Sequence, residues 1–243
     1  MNFTDWMKLS QYGVFDKFYQ NFNFKILEHP KHPSIFFRGT AKNPILFVAH
    51  ADIVGLTNGV APMEAGGIIS SSRKGANIGA DDRAGCKALY NLLERTQEHS
   101  VLIVSDEEIG CLGSSVVADQ YKDELSGHCF AVQLDRRGSH DLVYYDCGNN
   151  EFRDYMGKWF PKYAEAQGSV SDISMLCPAL DIAGVNISIG YYNEHTDREV
   201  LHLNEWHRTY HGILNLAKET EHTLFDYQEE NSWDRYFPSA NRV

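Results

Sequence analysis

Nothing in this sequence approaches the ~20 consecutive apolar residues that a membrane-spanning helix needs. The first residues, Met1-Asn2-Phe3-Thr4-Asp5-Trp6, lack a basic region followed by an apolar stretch and do not read as a secretory signal. Basic residues are outnumbered: 22 Lys and Arg stand against 33 Asp and Glu, a net charge of −11. A surface of that sign repels phosphate backbones, so nucleic acid is not an expected partner. Cysteine is sparse and unpaired in pattern. Cys86, Cys111, Cys129, Cys147 and Cys177 are odd in number and never form Cys-x-x-Cys. They read as reduced, core-filling thiols in a reducing compartment, which places the chain in the cytoplasm. Gly-x-Ser-x-Gly is missing, so a serine-hydrolase elbow is unsupported. Gly-x-x-x-x-Gly-Lys-Ser/Thr is also missing, so an NTPase is unsupported. There is no internal repeat and no low-complexity linker.

What is present is ordinary globular composition, 43% hydrophobic and 23% charged, in a length comfortable for one domain and tight for two. The chain is expected to open with a helix over 4–22. Short apolar runs then predict strands at Ile45–Val48, Val101–Val104, Cys129–Leu134 and Val185–Ile189, the last of them β-branched. Asp82 to Glu94 places Ala84, Ala88, Leu89, Leu92 and Leu93 on one helical face. Further helices are expected over 151–167, bent or broken at Pro161, over 172–179 and over 204–222. Strands alternating with helices predict an α/β fold, a three-layer α/β/α domain with a largely parallel, mixed central sheet. The polar tail after Phe225, with Trp233, Tyr236 and Phe237, reads either as a docking strap or as a loose end.

The polar residues follow the strands. The first strand runs into His50-Ala51-Asp52, the second into Asp106-Glu107-Glu108, the third into Asp135, and the fourth leads to Glu194-His195. Asp81 and Asp82 open the helix that follows Gly79. Open α/β sheets bind ligands beyond the carboxyl ends of their strands. Residues 31, 54 and 60 positions apart (50 to 81, 81 to 135, 135 to 195) can therefore meet there. Two imidazoles and several carboxylates without a thiol suit Zn²⁺, Mn²⁺ or Co²⁺. Two cations held close together repel, and a bridging carboxylate relieves that repulsion. Asp81 is placed to bridge, with His50 and Asp135 completing one metal and Glu108 and His195 the other. Glu107, beside a ligand but free of it, can take a proton from a shared water. Asp52, two residues after His50 on an extended segment, can accept the other ring N–H of that histidine.

These residues resemble the co-catalytic di-zinc exopeptidases and their deacylase relatives, a superfamily that includes peptidase T, the glutamate carboxypeptidases and the leucine and glutamyl aminopeptidases. The resemblance rests on five motifs in order: His50-Ala51-Asp52, Gly79 to Gly85, Asp106 to Ser114, Asp135, and Glu194 to Glu199. Gly168-Ser169-Val170-Ser171-Asp172 adds a sixth match, to a Gly-rich turn before the last strand. The resemblance implies that Asp81 bridges two zinc ions, Glu107 is the general base and Asp52 supports His50. It implies hydrolysis of amide bonds in short peptides by an exopeptidase of aminopeptidase or carboxypeptidase type. Relatives usually carry a lid, a dimerisation domain or an insert. Here the interval from His50 to Asp81 is short and rich in glycine (Gly55, Gly59, Gly66, Gly67, Gly75). The interval from Asp135 to His195 is expected to hold only connecting helices. The chain thus reads as a single catalytic domain over 1–243, with its oligomeric state open.

Bland readings stand beside these. Asp81 or Asp82 can cap the helix. Asp135 can pair with Arg136 or Arg137. His207 and His211, at i and i+4, can be a metal pair or, as we read them, surface residues. Ser171 and Asp172 read either as a helix cap or as part of the substrate cleft. Tyr191, Tyr192 and Asn193 read as pocket lining or as packing. Arg83, Arg136, Arg137 and Arg198 are weak candidates for a carboxylate clamp. Two other functions use the same motifs: removal of an acyl group from an amino acid or amino sugar, and a metal- or peptide-binding module without turnover. The intact Glu107 argues against the second.

Overall fold

The computed structural model describes residues 1–55, 61–219 and 222–228. Gly59 and the tail aromatics Trp233, Tyr236 and Phe237 lie outside the described residues. The chain opens with helices α1 (Phe3–Trp6) and α2 (Gln11–Asn21), then strands β1 (Lys25–Leu27), β2 (Ser34–Phe37) and β3 (Leu46–His50). A hairpin of β4 (Pro62–Ala65) and β5 (Ile68–Ser71) precedes α3 (Ala80–Leu93), β6 (Ser100–Val104) and α4 (Leu112–Gln120). Next come β7 (Ala131–Arg136), β8 (Asp141–Val143), α5 (Asn150–Trp159), β9 (Ala164–Glu165) and α6 (Asp172–Leu180). β10 (Gly184–Ser188), β11 (Tyr191–Tyr192), β12 (Val200–His202) and α7 (Leu203–Leu216) complete the described order.

The main sheet has the order β1-β2-β6-β3-β7-β10-β8-β9. Its four central strands are mutually parallel, because β3 pairs parallel with both β6 and β7, and β7 with β10. The edge strands β1, β2 and β8 join antiparallel. Side-chain alternation builds the layers. Phe47, Ala49, Val101 and Ile103 face one core, with Trp6, Phe18, Leu89, Met156 and Ile213 from α1, α2, α3, α5 and α7. Leu46, Val48, Leu102 and Val104 face the other, with Val117, Ile173 and Leu176 from α4 and α6. The fold is the expected three-layer α/β domain with a mixed, centrally parallel sheet. Strands buried on both faces read as unbroken apolar runs, which is why their sequences announce them. A second, antiparallel sheet of order β11-β12-β5-β4 flanks the carboxyl end.

Several expectations are corrected. The N-terminal segment is two helices rather than one over 4–22, because the Ser10 side chain accepts from Gly13 N–H and caps a new start. The helix expected over 151–167 ends at Trp159, two residues before Pro161, as proline disfavours helix in what precedes it. The chain then pairs as β9 with β8, so the interval from Asp135 to His195 holds strands as well as helices. The last helix ends at Leu216 rather than 222. Helix α4 and the short strands outside the parallel core are additions. All five cysteines are buried and free. No helix among the described residues is long and apolar enough to cross a membrane.

Candidate active site

The five expected ligand residues come from separate elements and meet at the carboxyl end of the parallel strands. His50 is the last residue of β3, and Asp135 lies near the end of β7. Glu107 and Glu108 follow β6, Asp81 stands at the start of α3, and His195 sits between β11 and β12 with a positive φ of 63°. Asp81 faces both imidazoles. Its Oδ1 lies 3.0 Å from His50 Nε2, and its Oδ2 lies 3.2 Å from His195 Nε2. Asp135 Oδ1 is 3.2 Å from His50 Nε2. Glu108 presents Oε1 at 3.0 Å and Oε2 at 2.8 Å to His195 Nε2. The result is two arms, His50 with Asp135 and His195 with Glu108, joined through the Asp81 carboxylate. His50 is fully buried, whereas the His195 side chain is 43% exposed.

Hydrogen bonds distinguish the neighbouring acids, although donor atoms of His50, Asp82 and Asp135 also lie within 4.8 Å of one another. Asp82 caps α3: its Oδ1 accepts from Gly85 N–H at 2.8 Å and its Oδ2 from His50 N–H at 3.3 Å. That leaves Asp81 free to face the centre. Gly85 is compelled, because a Cβ there would stand 2.0 Å from the Leu134 carbonyl oxygen. Asp52 Oδ1 lies 3.3 Å from His50 Nδ1. Its two oxygens also accept from the backbone N–H groups of Glu107 (3.0 Å) and Glu108 (3.1 Å). One carboxylate therefore sets both the histidine and the paired glutamates. Arg136 and Arg137 turn away from Asp135 to Asp141 and Glu194. Arg83 is no clamp either. Its buried guanidinium donates to the carbonyls of Leu9 and Ala51.

Ser171 and Asp172, read from the sequence as a helix cap or cleft residues, and Tyr191, read as pocket lining or packing, surround Asp135 from within the protein. All three are buried. Ser171 Oγ donates to Gln133 Oε1 (2.9 Å) and stands 3.3 Å from Asp135 Oδ2. Ser171 also opens α6 in a capping box with Ser174. Asp172 accepts from Ser114 Oγ (2.7 Å) and Gln133 Nε2 (3.1 Å). The Tyr191 hydroxyl donates to the Asp135 carbonyl at 2.7 Å. These groups, with Asn186, whose Oδ1 accepts from Asp135 N–H at 2.9 Å, fix the orientation of Asp135. Asn193 is exposed, on a positive φ of 56°. The sequence reading missed Gln133 and Asn186, apolar-flanked amides inside strands, and gave Glu199, the end of its last motif, no role of its own. The buried Glu199 carboxylate accepts from the backbone N–H groups of Ile78 (2.9 Å), Gly79 (2.7 Å) and Asp81 (3.1 Å). It thereby holds the loop that presents Asp81. The local signal is an amide between apolar neighbours for Gln133 (Val132, Leu134) and Asn186 (Val185, Ile187), and Glu199, between Arg198 and Val200, carries none.

The charge balance of this pocket calls for cations. Burial alone would lower the His50 pKa, but Asp135, Asp52 and Asp81 outweigh it and hold the imidazole well above its usual range. Hydrogen bonds to Asp81 and Glu108 lift His195 to about 10. Burial raises Asp135 and Glu107 above ordinary carboxylates. Each arm thus stabilises a positive charge where its imidazole stands. The donors fit divalent zinc, manganese or cobalt: among the described residues the clustered ligand atoms are imidazole and carboxylate, without a thiol. Cys86 Sγ donates to the His50 carbonyl and Cys111 Sγ to Glu107. Donor atoms of His50, Asp81 and Glu108 all lie within 4.8 Å of one another, close enough to share an ion.

Comparison with known proteins follows the same lines. No curated protein sequence matches the chain. Solved structures do. Aminopeptidase PepT from Bacillus cereus superimposes with a TM-score of 0.68 at 13% identity, covering 90% of this chain and 96% of that one. A tripeptidase from Staphylococcus aureus gives 0.67 at 14%, covering 90% and 96%. The archaeal aminopeptidase APDkam598 from Desulfurococcus kamchatkensis gives 0.61 at 14%, covering 90% and 95%. At such identities the likeness is one of fold. The sequence model described as peptidase family M28 matches residues 35–176, from β2 to the middle of α6. With more than half of its length matched and its acidic centre inside that fold, the chain belongs to peptidase family M28.

Proposed function

We propose that the chain is a di-zinc exopeptidase, an aminopeptidase that trims short peptides. His50, Asp81 and Asp135 would hold one ion, and Asp81, Glu108 and His195 the other. The observation that carries the reading is the Asp81 carboxylate, whose two oxygens lie within 3.2 Å of the two imidazoles. Bound ions supply Lewis acidity, polarising the scissile carbonyl and the attacking water. Glu107 moves the proton: it accepts from that water and returns the proton to the leaving amine. Its raised pKa suits both tasks, since a carboxylate closer to neutrality gives back what it takes. Asp52 keeps Glu107 in place through the backbone, and the Gln133, Ser171 and Asn186 network keeps Asp135 from turning. Five buried, free thiols suit a reducing compartment such as the cytoplasm.

The test is metal analysis of the purified chain beside a hydrolysis panel. We expect about two equivalents of zinc, manganese or cobalt. We also expect cleavage of di- and tripeptides that a chelator abolishes and zinc restores. Cleavage of N-acyl amino acids in preference to peptides would replace this reading with an amidohydrolase. Bound metal with no turnover on either class would leave a binding module.

A further inference from the structure

Asp106 begins the run that carries Glu107 and Glu108. Among the described residues, its carboxylate is not one of those gathered on His50 and His195. It meets His32 instead: His32 Nδ1 lies 2.9 Å from Asp106 Oδ2. A carboxylate accepts, so the ring nitrogen donates. Topology brings the two together. β2 runs antiparallel to β6, with Ile35 opposite Ile103, so the segment that enters β2 arrives where β6 leaves, at the carboxyl end of the sheet. That segment, His29-Pro30-Lys31-His32-Pro33, is stiffened by two prolines of fixed φ. His29 Nδ1 accepts from His32 N–H at 3.0 Å. The two rings stack, with centroids 5.1 Å apart and planes at 14°. The imidazole is thus delivered to Asp106 on a prearranged support, 74 residues away in sequence.

The turn it touches is a constrained one. Asp106 has a φ of 56° and Cys111 a φ of 55°. L residues enter this left-handed region reluctantly and keep it where their surroundings hold them there. Both glutamates lie between these two residues. Leu112 N–H closes the turn on the Asp106 carbonyl at 3.0 Å, and the N–H groups of Gly110 and Cys111 close on the Glu107 carbonyl at 2.9 and 2.8 Å. Asp52 holds the N–H groups of Glu107 and Glu108. His32 adds a hold of another kind, gripping the side chain of the left-handed residue from a separate element. Glu108 is also fixed by its own carboxylate, which meets His195. Among the described residues, the hydrogen bond to the Glu107 carboxylate comes from a weak donor, Cys111 Sγ at 3.6 Å. The aim of Glu107 therefore rests on the backbone of the turn.

We propose that His32, acting through Asp106, is a positioning residue for Glu107: it holds the turn so that this carboxylate points at the attacking water. This rests on the exopeptidase reading, in which Glu107 is the base, and extends it to a segment that carries none of the motifs. A displacement of about 1 Å at a reacting group costs up to about 10²-fold in rate. Losing one of several holds on the turn should cost less than that.

The experiment measures kcat and KM for trialanine, and zinc content, on the zinc-loaded full chain. His32→Ala should lower kcat about tenfold, with KM within about twofold of wild type and zinc content unchanged, because lost aim acts on the transition state and not on substrate binding. His32→Asn puts an amide N–H in place of the ring Nδ1–H and should recover most of kcat. Asp106→Gly keeps the left-handed backbone without the acceptor and should match His32→Ala. It also reads the same contact should His32→Ala not fold. The double variant should be no slower than either single one, since the two residues act as a unit. An unchanged kcat in His32→Ala overturns the proposal. So does a rise in KM alone, which would make His32 a substrate contact, or a loss of zinc, which would place the hold on Glu108. Losses that multiply in the double variant refute it as well. If the wild-type chain cleaves no peptide, the exopeptidase reading fails, and the hold on the turn is still decided by hydrogen exchange. The amides of residues 106–113 should exchange about tenfold faster in His32→Ala than in wild type or His32→Asn, and equal protection in all three refutes the hold.

Discussion

His50 and His195 stand at the carboxyl end of the parallel strands, and His99 and His128 at the amino end, just before β6 and β7. All but His195 are buried. Carboxylates hold the first pair above their usual pKa. Burial presses the second pair down, His99 to about 4 and His128 to about 3. His99 shows how a sheet end disposes of an imidazole it does not use: Nδ1 accepts from Ile45 N–H at 3.2 Å, and Nε2 faces the Ala217 carbonyl at 3.1 Å. That is a neutral ring with both nitrogens occupied by backbone. His50 Nε2 meets only acids. Burial is common to both ends, so burial does not mark a metal centre. The company of several carboxylates facing the imidazole does.

The largest effect tests the acidic term of this contrast. Glu107→Gln removes a proton acceptor and keeps its shape. We expect kcat to fall by about 10²–10⁴ while zinc content stays at its wild-type value. Loss of metal in that variant would make Glu107 a ligand instead of a base. Next come the histidines themselves. His50→Ala should lose bound metal, and activity with it, because the ion it would hold with Asp81 and Asp135 loses its imidazole ligand. His99→Leu should keep its metal and lose stability instead. It leaves Ile45 N–H and the Ala217 carbonyl without partners, at about 1–3 kcal/mol for each orphaned group, read as a shift in denaturation midpoint. If the two variants behaved alike, the contrast between the sheet ends would fail.

Acidity separates the ends again. The unfolded chain protonates His99 near pH 6.5, whereas the folded chain does so only near pH 4. Between those values the unfolded state holds more protons. The stability His99 confers is therefore complete above about pH 6.5 and declines as pH falls, by up to about 1.4 kcal/mol per pH unit. The gap between wild type and His99→Leu should be widest at pH 8 and narrow toward pH 4. At the other end, without metal, His195 holds its proton up to about pH 10, and the acids around His50 hold its imidazole above the ordinary range. Zinc must displace those protons, so its affinity should rise with pH and its binding should release protons to the buffer. Calorimetry in buffers of different ionisation enthalpy reads that release.

How far the sequence foretells this depends on the reach of each interaction. Ile45–Val48 and Val101–Val104 announce themselves because strands buried on both faces are apolar at every position. The motifs around His50, Asp81, Glu107, Asp135 and His195 are legible because each follows such a strand or opens a helix. The division of labour between Asp81 and Asp82 is not legible, since it turns on which carboxylate finds Gly85 and His50 N–H. Nor is the fate of Ser171, Asp172 and Tyr191, whose side chains point inward because Gln133 and Asp135 wait there. Glu199 is the clearest case: an acid in an exposed-looking run, buried because three backbone donors on the far side of the centre need an acceptor. Contacts 118 to 121 residues apart leave no local trace.

His207 and His211 give the smallest expected effect and the sharpest check on the rule. They sit one turn apart on α7, the spacing of many helical metal pairs, with ring centroids 6.4 Å apart. Both are exposed. Glu94 and Arg95 border the same shallow cleft, so the one acid there already has a cation beside it. Burial and the neighbouring His211 lower the pKa of His207, the opposite direction from His195. If carboxylates gathered on an imidazole make a centre and spacing alone does not, replacing both with Ala should leave zinc content unchanged and shift stability by no more than about 0.5 kcal/mol. A double variant that lost an equivalent of zinc would show that i, i+4 spacing suffices, and the distinction drawn between the two sheet ends would no longer identify the centre.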